Sequence, residues 1–363
     1  MTVRAGELLA IGFDGTVLPE AMAVLAAESG LGGVVLFRRN CPDLDTVLAL
    51  TAAARRLGPD VLVLVDHEGG RVHRLPLPFT HFPPAATIGR AGDPRLAAAV
   101  ARAMARELRA AGFDSGLTPV LDCLTDRESV AIGDRAYGAD PETVAVSGVA
   151  FVRAALAEGL VPVAKHFPGH GRTPLDSHLI LPEVDVPRTE LERTELAPFR
   201  QALDAGCPAV LVAHVRYPAL DPVWPASLSA SVVGGLLRDR LGFGGLVLSD
   251  DLEMAAVRDR WGVDGAAVKF LQAGGDLALV CRDAAARDAT VAAVGEALDT
   301  GELSTDAASA ARHRRRVLRT WVEGAAARPD VSVIGCPEHR ELLAEVLGRA
   351  GDPDHAPGHG TDR

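Results

Sequence analysis

Short apolar runs without alternation recur along the chain: Leu8 to Phe13, Gly33 to Phe37, Val61 to Val65, Leu117 to Leu121, Leu160 to Ala164, Ala209 to Ala213, Gly245 to Leu248 and Asp276 to Val280. Each has the length of one strand, and Val and Leu at successive positions suit a strand covered on both faces. Segments with helical spacing of apolar residues lie between them, among them Leu44 to Leu57, Pro94 to Ala111, Pro141 to Glu158, Thr189 to Ala205, Ser231 to Leu241, Gly262 to Ala273 and Ala284 to Leu298. Eight buried strands alternating with helices predict an α/β fold. The expected form is a closed (β/α)8 TIM-type barrel, with a doubly wound open sheet as the competitor. Polar residues favour the barrel. Asp66, His67 and Glu68, then Asp122, Lys165 and His166, His214, and Ser249, Asp250 and Asp251 all follow the C-terminal ends of such runs. A barrel brings those ends to one pocket, whereas an open sheet favours a single switch point.

No low-complexity linker divides the chain, so one catalytic barrel is expected over residues 1–325. The basic helix Ala307 to Glu323 belongs to it. A short C-terminal extension over 326–350 should pack on the outside of the barrel. Residues 351–363 have almost no apolar content and are expected to be disordered. A net charge of -11, from 37 basic and 48 acidic side chains, argues against a nucleic-acid partner. The 5 cysteines are scattered without a C-x-x-C pair and read as small buried hydrophobes. No run approaches a membrane span and no leader pattern opens the chain, so a soluble cytoplasmic protein is expected. Oligomeric state is left open, with a monomer favoured.

The densest chemistry is Lys165-His166-Phe167-Pro168-Gly169-His170-Gly171, followed by Arg172-Thr173-Pro174-Leu175-Asp176-Ser177-His178. Its prolines and glycines forbid a regular element, so these groups are expected on a shaped loop leaving a buried strand. Glycines and a proline between Gly169 and Leu175 are expected to make that stretch the most mobile part of the site rim. Asp176 and His178 are one residue apart, close enough for the carboxylate to orient the imidazole and favour its charged form, or simply to make an Asx turn. Asp250 ends a strand, where backbone holds a carboxylate firmly enough to act as a nucleophile. Alternatively, Asp250 or Asp251 caps the next helix. Asp66 and Arg74 flank a Gly69-Gly70 turn, and Arg135 sits in a glycine-flanked turn; carboxylates and guanidinium groups of this kind bind sugar hydroxyls or form ion pairs. His166, His170, Asp176, His178 and His214 are the residue types of a hydrolytic zinc set. Their spacing matches no helical pair and Lys165 would place a cation beside the metal, so no metal and no cofactor are expected.

These motifs, with Asp66-His67-Glu68-Gly69-Gly70-Arg71, Ile132-Gly133-Asp134-Arg135, Ala213-His214-Val215, Pro225-Ala226-Ser227-Leu228-Ser229 and Ser249-Asp250-Asp251-Leu252-Glu253-Met254, resemble the family 3 glycoside hydrolases. The similarity is strongest to their bacterial β-N-acetylhexosaminidase branch of the NagZ type. The resemblance implies a barrel enzyme that hydrolyses terminal β-linked N-acetylglucosamine, often from peptidoglycan fragments. It makes Asp250 the nucleophile, His178 the general acid/base and Asp176 its partner. Asp66, Arg74, Arg135, Lys165 and His166 would hold the sugar, and the partner would be a small N-acetylglucosaminyl glycoside or muropeptide-like fragment. Double displacement with retention would follow. His67 replaces the branch's usual Gln, and Ala136-Tyr137 its usual Ser-Phe. A histidine base repels phosphate less than a carboxylate does, which leaves a glycoside phosphorylase as the second enzyme reading. A non-catalytic amino-sugar sensor is the reading from another class.

Overall fold

The computed structural model describes residues 2–173, 180–325 and 327–351. Among these residues seven strands form one sheet: β1 Leu9–Ile11, β2 Gly33–Leu36, β3 Leu62–Val65, β4 Val163–Phe167, β5 Ala209–Val212, β6 Leu246–Asp251 and β7 Leu277–Val280. Their order is β3-β2-β1-β7-β6-β5-β4, and every neighbouring pair is parallel. Each apolar run supplies side chains to both faces, as the absence of alternation requires. Val34, Leu36, Val63, Val65, Val210, Val212 and Val280 pack outward against the helices. Val35, Leu62, Leu64, Leu211, Leu248 and Leu279 form a second cluster on the inner face of the curled sheet.

The sheet corrects the expectation of a closed eight-stranded barrel. Leu117 to Leu121 is as apolar as its neighbours in sequence but is not a strand. Pro119 has no N–H to give a ladder, and Leu117 has φ of 47°, outside the extended range. The stretch from Ser115 to Leu121 instead runs between β3 and β4, with isolated bridges from Ser115 to Leu64 of β3 and to Val161 just before β4, and from Val120 to Lys165 of β4. The chain is therefore an α/β fold with a seven-stranded, curled parallel sheet.

Side-chain caps start several of the surrounding helices. Asp43, Asp140, Asp283 and Ser304 each accept a backbone N–H from the first turn of the helix that follows. The predicted segment Thr189 to Ala205 is two helices, Arg188–Arg193 and Leu196–Asp204.

The helix Thr305–Gly324 lies across the N-terminal strand ends, with Leu318 and Val322 in the inner cluster. Two buried carboxylates fasten that end. Asp276 accepts from Val247 N at 2.8 Å and pairs with Arg238 and Arg314; Asp114 accepts from Val63 N at 2.8 Å and pairs with Arg55. The last helix, Pro337–Ala350, contacts the helices Ala85–Arg90 and Pro94–Ala110. Its His339 donates to the buried Glu107 at 2.7 Å. No helix among the described residues is long and apolar enough to cross a membrane.

Candidate active site

Lys165 and His166 lie within β4 rather than on the loop after it, because the strand runs three residues further than the apolar run suggested. The β4–β5 register shifts between Ala164 and Phe167, where these two side chains are placed. Both are buried. A cavity of about 340 Å³ opens at the C-terminal strand ends, and Asp66, Arg74, Arg135, Lys165, His166 and Asp250 all line it. These six expected site residues are brought together from separate parts of the chain. Asp176 and His178 lie outside the described residues. The described part of their loop, Gly169 to Thr173, is largely buried, with Tyr217 Oη donating to Gly169 O and Arg172 paired with Glu195 at 2.7 Å.

One wall is a dense ion-pair network. Lys165 Nζ lies 2.7 Å from Asp66 and 2.5 Å from Glu68. Arg135 grips Glu68 through two bonds, of 2.8 and 2.6 Å, and Arg74 donates to the second Asp66 oxygen at 3.0 Å. Burial alone would raise both carboxyl pKa values. It is outweighed at Asp66 by Lys165 and Arg74, and at Glu68 by Arg135 and Lys165, so both stay ionised below the usual carboxylate range. The same carboxylates, acting against desolvation, hold the Lys165 pKa above its ordinary value.

Asp250 closes β6 on another wall. Burial works against its charge, and the His166 and His214 rings, the Asp251 N–H and Lys165 outweigh it, leaving the pKa lowered. One of its oxygens accepts the Asp251 N–H at 2.9 Å. Asp251 next to it behaves in the opposite way: burial, reinforced by the charges of Glu253 and Asp250, pushes its pKa up to about 7. Neither aspartate caps the following helix Ala255–Trp261, whose N-cap Met254 has no side-chain bond. Asp251 instead closes a turn by accepting Glu253 N at 3.0 Å.

Three connecting groups were not singled out from sequence as site residues. Glu68 bridges Lys165 and Arg135; Asp122 lies under His166; His214 joins Ser227 to the Asp251 carbonyl at 2.7 and 3.0 Å. Each stood near a strand end in the sequence, which was the available signal. Its partners depend on the fold. His67 is buried away from the cavity lining, accepting the Arg74 N–H on Nδ1 at 3.2 Å. Tyr137 likewise lines a separate small cavity behind Glu68 and Arg135. Among the described residues, no cluster of His, Cys, Asp and Glu is arranged to hold a metal ion.

An ionised carboxylate at a strand mouth thus shares one cavity with cations and acids that can bond to hydroxyl groups, on an α/β scaffold. Residues 2–320 match the glycosyl hydrolase family 3 N terminal domain, and the chain belongs to that family of glycoside hydrolases. A β-hexosaminidase of Nitrosomonas eutropha is 38% identical over 305 residues, covering 81% of this chain and 87% of that one. A family 3 β-N-acetylglucosaminidase of a Paenibacillus species superimposes with a TM-score of 0.91 at 35% identity, over 96% of this chain and 68% of the other. NagZ of Neisseria gonorrhoeae, solved with N-trifluoroacetyl-D-glucosamine, gives 0.79 at 32% identity, over 96% and 99% of the two chains.

Proposed function

We propose that this glycoside hydrolase is a retaining exo-β-N-acetylglucosaminidase acting on terminal β-linked N-acetylglucosamine. The observation that carries the reading is the ionised Asp250 in a cavity that Asp66, Lys165, Arg135 and His166 also line. Relatives described as β-hexosaminidases and β-N-acetylglucosaminidases supply the substrate class. At about 340 Å³ the cavity is near the lower end of small-molecule sites, which suits one terminal sugar ring.

In this mechanism Asp66, Arg74, Arg135, Lys165 and His166 bind the hydroxyls and orient the ring. The Asp250 carboxylate attacks the anomeric carbon and displaces the glycosidic oxygen, which takes a proton from His178, itself oriented by Asp176. Water then gives a proton to His178 and cleaves the glycosyl–Asp250 ester, restoring the β configuration. No metal enters any step. Muropeptide-like fragments in the cytoplasm are the proposed natural substrates, and residues 1–325 the catalytic unit.

The test compares two variants on two substrates. Asp250→Ala should lose nearly all turnover whatever the leaving group. His178→Ala should keep substantial glycosyl-enzyme formation from a nitrophenyl glycoside, whose leaving oxygen needs no proton, and lose most activity on a disaccharide. The glycosyl-enzyme should accumulate as one added sugar in the intact-protein mass. Equal losses on both substrates with no added mass would remove His178 from the acid/base role. A sugar 1-phosphate formed on adding phosphate would replace hydrolysis with phosphorolysis.

A further inference from the structure

Asp122 is fully buried and belongs to no ion pair with Lys or Arg among the described residues. Among the described residues, its hydrogen-bond donors come from β4 and the residues just after it. Oδ2 meets His166 Nδ1 at 2.6 Å, and Oδ1 accepts the backbone N–H of His166 at 3.3 Å and of His170 at 2.6 Å. Two backbone N–H groups donate to its Oδ1, and a carboxylate held by donors in this way offers acceptors only. His166 Nδ1 therefore carries the hydrogen that it gives to Asp122. On the other edge of the ring, Arg135 Nη2 lies 3.2 Å from His166 Nε2. A guanidinium has no lone pair to offer, so Nε2 must be the acceptor. One ring holds one proton, on Nδ1, and presents a lone pair beside Arg135 at the cavity wall.

The backbone after β4 rests on the same place. A Cβ at Gly171 would sit 2.0 Å from the Cys123 carbonyl oxygen, so the loop lies directly on the segment carrying Asp122, and Asp126 N donates to Gly171 O at 3.1 Å. Asp122 thus joins the His166 ring and the first residues of the loop that leads to Asp176 and His178.

We propose that Asp122 is a positioning residue of the active site: it fixes His166 as the Nδ1–H imidazole, so that the Nε2 lone pair accepts from Arg135 and holds that guanidinium at the cavity wall. This rests on the sugar-binding reading of the cavity. Asp122 itself is not among the residues that line that cavity. A protonated His166 would turn an N–H toward the Arg135 guanidinium, and the Nε2–H tautomer would leave Asp122 facing a lone pair.

The tautomer can be read without activity. A long-range proton–nitrogen spectrum of histidine-labelled wild-type protein at about pH 7.5, with the His166 signals assigned by their loss in His166→Gln, should show Nδ1 protonated and Nε2 bare. An Nε2–H or doubly protonated His166 would overturn the proposal whatever the substrate proves to be. Asp122→Asn removes the charge while keeping the shape. It should redistribute the His166 proton and lower kcat/KM on an aryl N-acetylglucosaminide by about 10- to 100-fold, the range for a hydrogen bond to a charged group. Asp122→Glu should recover part of the loss if it restores Nδ1–H. A folded Asp122→Asn enzyme with the wild-type tautomer and kcat/KM would overturn the assignment. A wild-type enzyme with the expected tautomer and no turnover of any N-acetylglucosaminide would instead overturn the functional reading.

Discussion

At the level of single residues, Lys165 carries the largest electrostatic responsibility in the site. Its side chain is 3% exposed, and its ammonium is shared by Asp66 and Glu68. Removing one partner from such a buried set costs about 3–5 kcal/mol, because the remaining charges stay desolvated. Lys165→Met should therefore destabilise the protein by about that amount at neutral pH, measured by urea denaturation. The sign of its pH dependence follows from the two carboxyl groups. In the wild type their depressed pKa values contribute stability above the unfolded-state values, about 3.9 and 4.3, and this contribution is lost as the pH falls through the folded values. Without Lys165 they can protonate more readily, so the stability gap should narrow from pH 7.5 toward the acid range. A gap independent of pH would mean that the loss is one of packing. The residues meeting in this cavity were legible from sequence because strand ends, glycine turns and clustered titratable groups are local signals. The pairings were not. Glu68 as the bridge, and Asp122 as the base under His166, arise from contacts across 67 and 44 residues.

At the level of elements, seven of the eight apolar runs became strands, and the eighth shows what periodicity omits. Leu117 to Leu121 has strand composition, but Pro119 and the backbone at Leu117 break the ladder; hydrophobicity reports burial, not hydrogen bonding. The segment from Asp66 to His81 makes a similar point. His67, His73 and His81 stack in series, with ring centroids 4.4 and 3.6 Å apart, an arrangement that no spacing rule suggested. Burial pushes the pKa of His67 down to about 3 and that of His73 to about 2, so both are neutral in the folded state. Their folded pKa values lie below the unfolded value of about 6.5, so stability falls with pH below that value, as the unfolded chain takes up protons that the folded one refuses. Each histidine should account for a loss of about 2 kcal/mol between pH 7.5 and pH 5. Among the described residues neither His73 ring nitrogen has a hydrogen-bond partner, so His73→Leu should remove one such share with little loss at pH 7.5. Denaturation curves at the two pH values would check this, and an undiminished pH dependence in the variant would transfer the effect to other groups.

For the whole molecule, the two ends of the sheet have separate work. The C-terminal strand ends carry the cavity, while the N-terminal ends are sealed by the helix Thr305–Gly324 and its arginines. Arg314 binds Asp276, Arg319 lies 3.7 Å from Asp114, and Arg315 donates to the Asp60 carbonyl. Asp276 is the strongest of these fastenings, since it also pairs with Arg238 and accepts Val247 N at the start of β6. Asp250 stands three residues further along that strand, roughly 10 Å away at 3.3 Å per residue. Asp276→Ala would remove the counter-charge of two guanidinium groups and the acceptor of the Val247 N–H, and should cost about 3–5 kcal/mol of stability. Because this end does not touch the cavity, the protein that remains folded should hydrolyse substrate with kcat and KM close to the wild type when assayed well below its lowered melting temperature. Asp122→Asn should show the reverse pattern, with a kinetic loss that persists at low temperature. If Asp276→Ala lowered kcat in fully folded enzyme, the sheet would be transmitting strain from its base to Asp250, and the separation of the stabilising end from the chemical end would fail.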